Sequence, residues 1–184
     1  MSLDLEKHLT FYGAYHHNTV NIGIHMACVP MILFSGFCLA TNTGTLIPLP
    51  SWLTVPNLEL NLGTLAALTW GGLYVLLEPV AGTLLAIICL AATAAGNSFR
   101  LQNPALTNQA AIGVHIACWI FQFIGHGAFE GRCLPRPLFV WLEFLFKLGY
   151  RQELKGRVDK AVEKEIAKFR ASKANGEAKN GKAQ

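Results

Sequence analysis

The chain has 184 residues, a length that fits one domain. Hydrophobic residues make up 52% and charged residues 14%, against roughly 25% charged in typical soluble domains, and the mean hydropathy is +0.36. Residues 1–150 hold five Lys/Arg and six Asp/Glu while residues 151–184 hold ten and five, so the formal charge of +4 belongs to the tail; a basic tail behind an apolar body fits anionic lipid headgroups and argues against nucleic acid as a partner.

Residues 3–15 are predicted to form a short amphipathic helix along the membrane surface, with Leu5, Leu9 and Tyr12 at helical spacing. Asp4, Glu6 and Lys7 occupy the place where the apolar core of a cleavable signal peptide begins, so an internal segment is expected to do the targeting. Residues 22–40 run without a charge, long enough to cross ~30 Å of hydrocarbon, and Pro30 is expected to kink this helix. Residues 41–61 hold three prolines and one glycine among several Thr and Asn and read as a loop. Two shorter apolar runs, 62–77 and 80–95, are broken by Glu78-Pro79 and read as a helical hairpin. Residues 97–109 read as a polar linker and 110–124 as a fourth apolar run. Residues 138–150, aromatic but carrying Glu143 and Lys147, read as interfacial. An amphipathic helix is expected over 151–170 and an unstructured end beyond it.

The expected fold is therefore all-α: an integral membrane bundle of about four transmembrane helices with amphipathic interfacial helices at both ends. Residues 1–150 form its membrane-embedded domain and residues 151–184 a basic cytosolic tail. The five cysteines are odd in number, form no C-x-x-C pair and read as buried small hydrophobes. Four spans put both termini on one side. The loop at 41–61 has no Lys or Arg, whereas the opposite side has Lys7, Arg132, Arg136, Lys147 and the tail, so both termini are expected to be cytoplasmic. The start of the first span and the end of the fourth then share a membrane face, which brings His16 and His25 to the region of His126.

A lone histidine at a helix end is more often a hydrogen-bonded interfacial residue than a ligand. Four in or beside apolar spans, His16, His25, His115 and His126, are a different case, because ionisable groups in a bilayer are costly and mark function. Neutral imidazole suits Fe, Zn, Cu and Ni. Asn18 and Asn21 stand where a helix starts, so they read as N-caps and also as groups that orient His16 beside a bound metal. Glu130 follows His126 by four residues. It reads foremost as a hydrogen-bond partner to a ligand, with direct ligation or an ion pair to Arg132 as alternatives. His115 lies on the same helix face as His126 but about 16 Å along it, so one metal takes both only if the helix breaks; a deeper site shared with His25 is the other route. His8 and His17 read as surface residues.

Three stretches resemble a known family: Phe-Tyr-x-x-Tyr-His-x-Asn-x-x-Asn-x-x-x-His at 11–25, Trp-Ile-x-Gln-Phe-x-Gly-His-x-x-Phe-Glu at 119–130, and Glu-Phe-Leu-Phe-Lys-Leu-Gly at 143–149. The chain is similar over most of residues 3–150 to the yeast-type family of endoplasmic-reticulum, Fe(II)-dependent 2-hydroxy fatty acid dioxygenases, which serve the path from phytosphingosine to odd-numbered fatty acids. The resemblance implies His16, His25 and His126 as iron ligands, with His115 as a further candidate. It implies a 2-hydroxy long-chain fatty acid and O2 as substrates, with the acyl chain among apolar helices and membrane lipid around them. R-CH(OH)-COOH plus O2 balances to R-COOH, CO2 and water, so no 2-oxoglutarate, flavin or NADPH is required.

The alternatives are a membrane di-iron enzyme, which needs more histidines in H-x-x-H-H boxes than the six present, and a non-catalytic four-helix protein that binds haem between His25 and His115 or simply binds lipid. The sequence leaves the oligomeric state and chain-length preference open. The orientation has a direct check: a glycosylation acceptor placed in residues 41–61 is expected to be modified in microsomes, and one at the C-terminus is not. The reverse pattern would sink the charge argument.

Overall fold

A computed structural model describes residues 4–15, 18–130 and 139–180. Among them seven α-helices follow in order: α1 (Leu5–Tyr15), α2 (Thr19–Ala40), α3 (Leu62–Leu77), α4 (Pro79–Gln102), α5 (Pro104–Gly125), α6 (Val140–Lys147) and α7 (Gln152–Asn180). The molecule is all-α, with one isolated antiparallel bridge, Ile47 to Leu60, within the 41–61 loop.

The helix starts follow from local chemistry. Asn18 caps α2, its Oδ1 accepting from the backbone N–H of Val20 at 2.9 Å and Asn21 at 3.3 Å. Asn61 caps α3 through the N–H of Thr64. Glu78 and Asn103 cap α4 and α5, each followed by a proline at the first helical position, where a missing N–H costs nothing. The polar linker expected at 97–109 is consequently compressed to Asn103 alone. An Asn-Pro pair can close one helix and open the next in a single residue, whereas polarity by itself suggested a loop.

The four apolar helices alternate in direction. α2 and α5 lie antiparallel along their length, from His25 against His126, through Gly36 facing the His115 ring, to Asn42 and Asn108, whose side-chain amides exchange two hydrogen bonds at 2.9 and 3.1 Å. The hairpin of α3 and α4 closes tightly because Gly82 rests on the backbone of Tyr74 and Val75, where a Cβ would collide. The expected count of about four spans is refined here. Among the described residues three helices, Thr19–Thr43, Pro79–Gln102 and Pro104–Ala128, are long and apolar enough to cross a membrane, and Leu62–Leu77 is shorter. At 1.5 Å per residue α3 extends about 24 Å. Outward faces carry large exposed apolar side chains such as Leu76, Ile87, Ile116 and Phe123, as a lipid solvent requires.

At the end where α2 starts and α5 finishes, one buried cluster joins the remaining helices: Leu9 and Tyr12 of α1, Val29 of α2, Ala81 of α4, Val140, Leu142 and Phe146 of α6, and Leu154 and Val158 of α7. Full burial of each such Leu or Val contributes about 1.5–3 kcal/mol. The apolar stripe of α1, expected against lipid, is thus covered by protein, and Arg157 of α7 pairs with Glu6 at 3.0 Å on the outer side. α7 continues to Asn180 rather than ending at Arg170, since the added residues are rich in the helix formers Ala and Lys.

Glu78 ties the hairpin to this cluster. Its Oε2 accepts from the N–H of Ala81 at 2.5 Å, and its Oε1 accepts from the Tyr150 hydroxyl at 3.0 Å and Arg151 Nη1 at 3.2 Å. Burial, followed by this hydrogen bond, raises the Tyr150 phenol above its ordinary pKa. Trp141 Nε1 donates to the Ala81 carbonyl one turn on. Glu78→Ala removes a cap and the acceptor of the Tyr150 hydroxyl, while the exposed Arg151 is met by water, so thermal unfolding in detergent is expected to show a loss of about 1–3 kcal/mol. An unchanged midpoint would mean that the α6–α7 corner is held elsewhere.

Candidate metal centre

His25 sits two turns into α2 and is fully buried, at 0% exposure. Its Nδ1 lies 2.9 Å from the carbonyl oxygen of Asn21, one turn earlier. A carbonyl can only accept, so Nδ1 carries the proton and Nε2 is left with its lone pair. That lone pair faces Nε2 of His126 at 3.1 Å, with the two rings nearly perpendicular at 81°. His126 is itself 2% exposed and opens a π-helical turn, His126–Glu130, that continues α5. Such turns are rare and recur at functional sites because the widened backbone re-aims a side chain.

Beside the pair, two further polar side chains have buried atoms without a partner among the described residues. Asn21 is fully buried, and neither its Oδ1 nor its Nδ2 makes a hydrogen bond; Gln122, one turn before His126, has a buried Nε2 in the same state. In a dry interior each such group costs roughly 1–3 kcal/mol. Gly125 makes room for Asn21, because a Cβ there would strike Oδ1. Sequence reasoning singled out Asn21 but missed Gln122. The available signal was its spacing four residues ahead of His126 on an otherwise apolar face.

The donor set fits a metal. Two imidazole nitrogens held by one ion at about 2.1 Å each lie about 3.0–3.4 Å apart for angles between octahedral and tetrahedral, and the observed separation is inside that range. The unprotonated Nε2 of His25 is in the required state, and the Asn21 carbonyl is the kind of outer partner that fixes a ligating imidazole. Among the described residues no three His, Cys, Asp or Glu side chains converge. His16, the expected third ligand, lies outside the described residues, as do His17, Arg132 and the side chain of Glu130.

His115 is not brought to the pair. α5 runs unbroken from Pro104 to Gly125, so the break that would let His115 and His126 share a metal is absent, and His25 is turned to His126 rather than to a deeper site. Both its ring nitrogens are engaged in the bundle interior. Ser35 Oγ donates to the Met31 carbonyl at 2.6 Å, so His115 Nδ1 donates to Ser35 at 2.9 Å, and Trp119 Nε1 donates to His115 Nε2 at 3.1 Å. Asn18 acts as the cap described above; the role expected of the asparagines concerns His16, which lies outside the described residues, and the contact seen here is that of the Asn21 backbone carbonyl with His25.

The family described as 2-hydroxy-palmitic acid dioxygenase Mpo1-like matches residues 2–140. The chain is similar to the 2-hydroxy-palmitic acid dioxygenase MPO1 of Saccharomyces cerevisiae, with 34% identity over 172 residues that cover 88% of this chain and 91% of the yeast protein. No solved structure matches.

The unpartnered amide of Asn21 allows a test that separates function from stability. Asn21→Leu keeps the shape and removes both orphaned atoms, so the metal-free protein is expected to unfold at the same temperature or higher, while activity falls sharply. A destabilised variant would show that the amide has a structural partner after all.

Proposed function

We infer the function from one premise: the chain belongs to the Mpo1-like family of 2-hydroxy-palmitic acid dioxygenases. It is a 2-hydroxy fatty acid dioxygenase of sphingolipid metabolism. The reaction consumes a 2-hydroxy long-chain acid and O2, cleaves the C1–C2 bond, and yields the acid one carbon shorter, CO2 and water. The observation that carries the site assignment is the buried pair of Nε2 atoms, 3.1 Å apart, of which the one on His25 is held unprotonated.

His25, His126 and His16 are the proposed ligands of Fe(II), and His115 is left out of the set. The iron, when bound, supplies the open coordination positions and the electron exchange that O2 needs to react with an organic acid. The chain does the rest. The Asn21 carbonyl keeps the proton on Nδ1 of His25. Asn21 Oδ1 is proposed to accept from the 2-hydroxyl, and Asn21 Nδ2 and Gln122 Nε2 to donate to that hydroxyl's oxygen, so that groups without partners among the described residues are paired in the complex. Burial of the pair excludes water. Glu130 is proposed to steady a ligand by hydrogen bonding. The catalytic part is assigned to residues 1–150 and the basic helix to the cytosol, in a multi-pass protein of the endoplasmic-reticulum membrane with both termini cytoplasmic.

Replacing His16, His25 or His126 with Ala is expected to lower bound iron and turnover of 2-hydroxypalmitate together. Glu130→Gln is expected to cost about 10–100-fold, partly recovered with added Fe(II). His115→Ala is expected to keep its iron. Turnover surviving in the first three variants, or a requirement for 2-oxoglutarate, would refute the assignment.

A further inference from the structure

The motif at 143–149 lies apart from the histidine pair, and its Lys147 is the last residue of α6. α6 presents Val140, Phe144 and Lys147 along one face, at spacings of four and three residues. Val140 and Phe144 line a cavity of about 240 Å³ enclosed with α2, α3 and α4. Its wall is apolar: Met26, Leu33 and Phe34 on one side, Trp70 and Leu85 on the other. Lys147 is exposed, and its Nζ donates to the Met26 sulfur at 3.1 Å. A thioether is a weak acceptor, and among the described residues Lys147 has no carboxylate partner. A cation therefore stands beside one lining residue of an apolar bore, and that residue directly follows His25.

We propose that this cavity holds the acyl chain of the 2-hydroxy fatty acid and that Lys147 receives its carboxylate at the mouth. The proposal rests on the function inferred above and specifies how that site takes its substrate. Charge and shape select this occupant. From Met26 to Phe34 the cavity follows α2 for about 12 Å, a depth that takes the carboxyl-proximal half of a long straight chain, and a fatty acid is the amphiphile whose head complements an exposed ammonium. The head is thereby set at the level of His25, with the chain running towards Trp70. Trp70 and Phe34 line the end away from Lys147, past which the rest of the chain has to run.

The test uses the full chain in phospholipid vesicles and a palmitate probe with a diazirine at mid-chain. Lacking the 2-hydroxyl, the probe reports binding without turnover. Labelling is expected at Phe34, Trp70, Leu85 or Ile88, with competition by 2-hydroxypalmitate. Lys147→Met is expected to weaken labelling and raise KM about fivefold, the scale of a solvent-exposed ion pair, with kcat and iron content unchanged. Lys147→Arg should restore both, and a hexadecanol probe should be indifferent to either change. Ile88→Phe, or Leu33→Phe should the first not fold, is expected to shift the preferred substrate to shorter chains. Labelling confined to outward residues such as Ile116 and Phe123, or a Lys147→Met variant that loses kcat at constant KM, would overturn the proposal. Cavity labelling in a protein that does not consume 2-hydroxypalmitate would leave the chain site standing and refute the catalytic reading instead.

Discussion

The structure depends most on the antiparallel contact between α2 and α5, which sets Nε2 of His25 3.1 Å from Nε2 of His126. The contact is not local. It is registered along the full length of both helices, from Gly125 against Asn21 at one end, through Gly36 against His115, to the paired amides of Asn42 and Asn108 at the other. In a bilayer the apolar faces of two helices gain little from meeting, so close packing at glycines and interhelical hydrogen bonds decide the register. Sliding one helix past the other by a turn would move the imidazoles apart by about 5.4 Å and break all of these at once.

Two histidines, one on α5 and one in the π-helical turn that continues it, show how differently the same residue is used. His115 has a donor and an acceptor within reach, so its neutral ring is fully satisfied among Ser35 and Trp119 and strengthens the bundle. At the other end the polar groups are not balanced. Asn21 and Gln122 keep buried amide atoms without partners among the described residues, and His126 opens a π-helical turn. A protein tolerates such local conflict chiefly where something else binds, and the surrounding packing has to carry its cost. Here the carrying structure is the cluster of α1, α6 and α7 and the Glu78 junction, which brace the same end of the bundle.

Much of this was legible in the residues. Uncharged runs gave the four apolar helices, Asn18 and Pro79 marked their starts, and the alternation of spans brought His25 to His126. What escaped was set by contacts that no single segment reveals. The stripe of Leu5, Leu9 and Tyr12 reads equally as a lipid-facing or a protein-facing surface, and only the arrival of α6 and α7 decides between them. Residues 97–109 look like a linker because Asn97, Arg100 and Gln102 are polar. In the fold Asn97 donates to Glu59 and accepts from Arg100, which ties the end of α4 to the 41–61 loop while staying helical. The distance from His115 to His126 along a helix was computable from spacing, but the continuity of that helix was not.

The central claim is that this pair of histidines holds iron. Metal analysis of the full chain, with X-ray absorption at the iron edge, tests it directly. About one iron per chain, with imidazole nitrogens at about 2.0–2.2 Å in the scattering, is the expected result. Zinc in place of iron, or iron whose signal contains no imidazole, would contradict it.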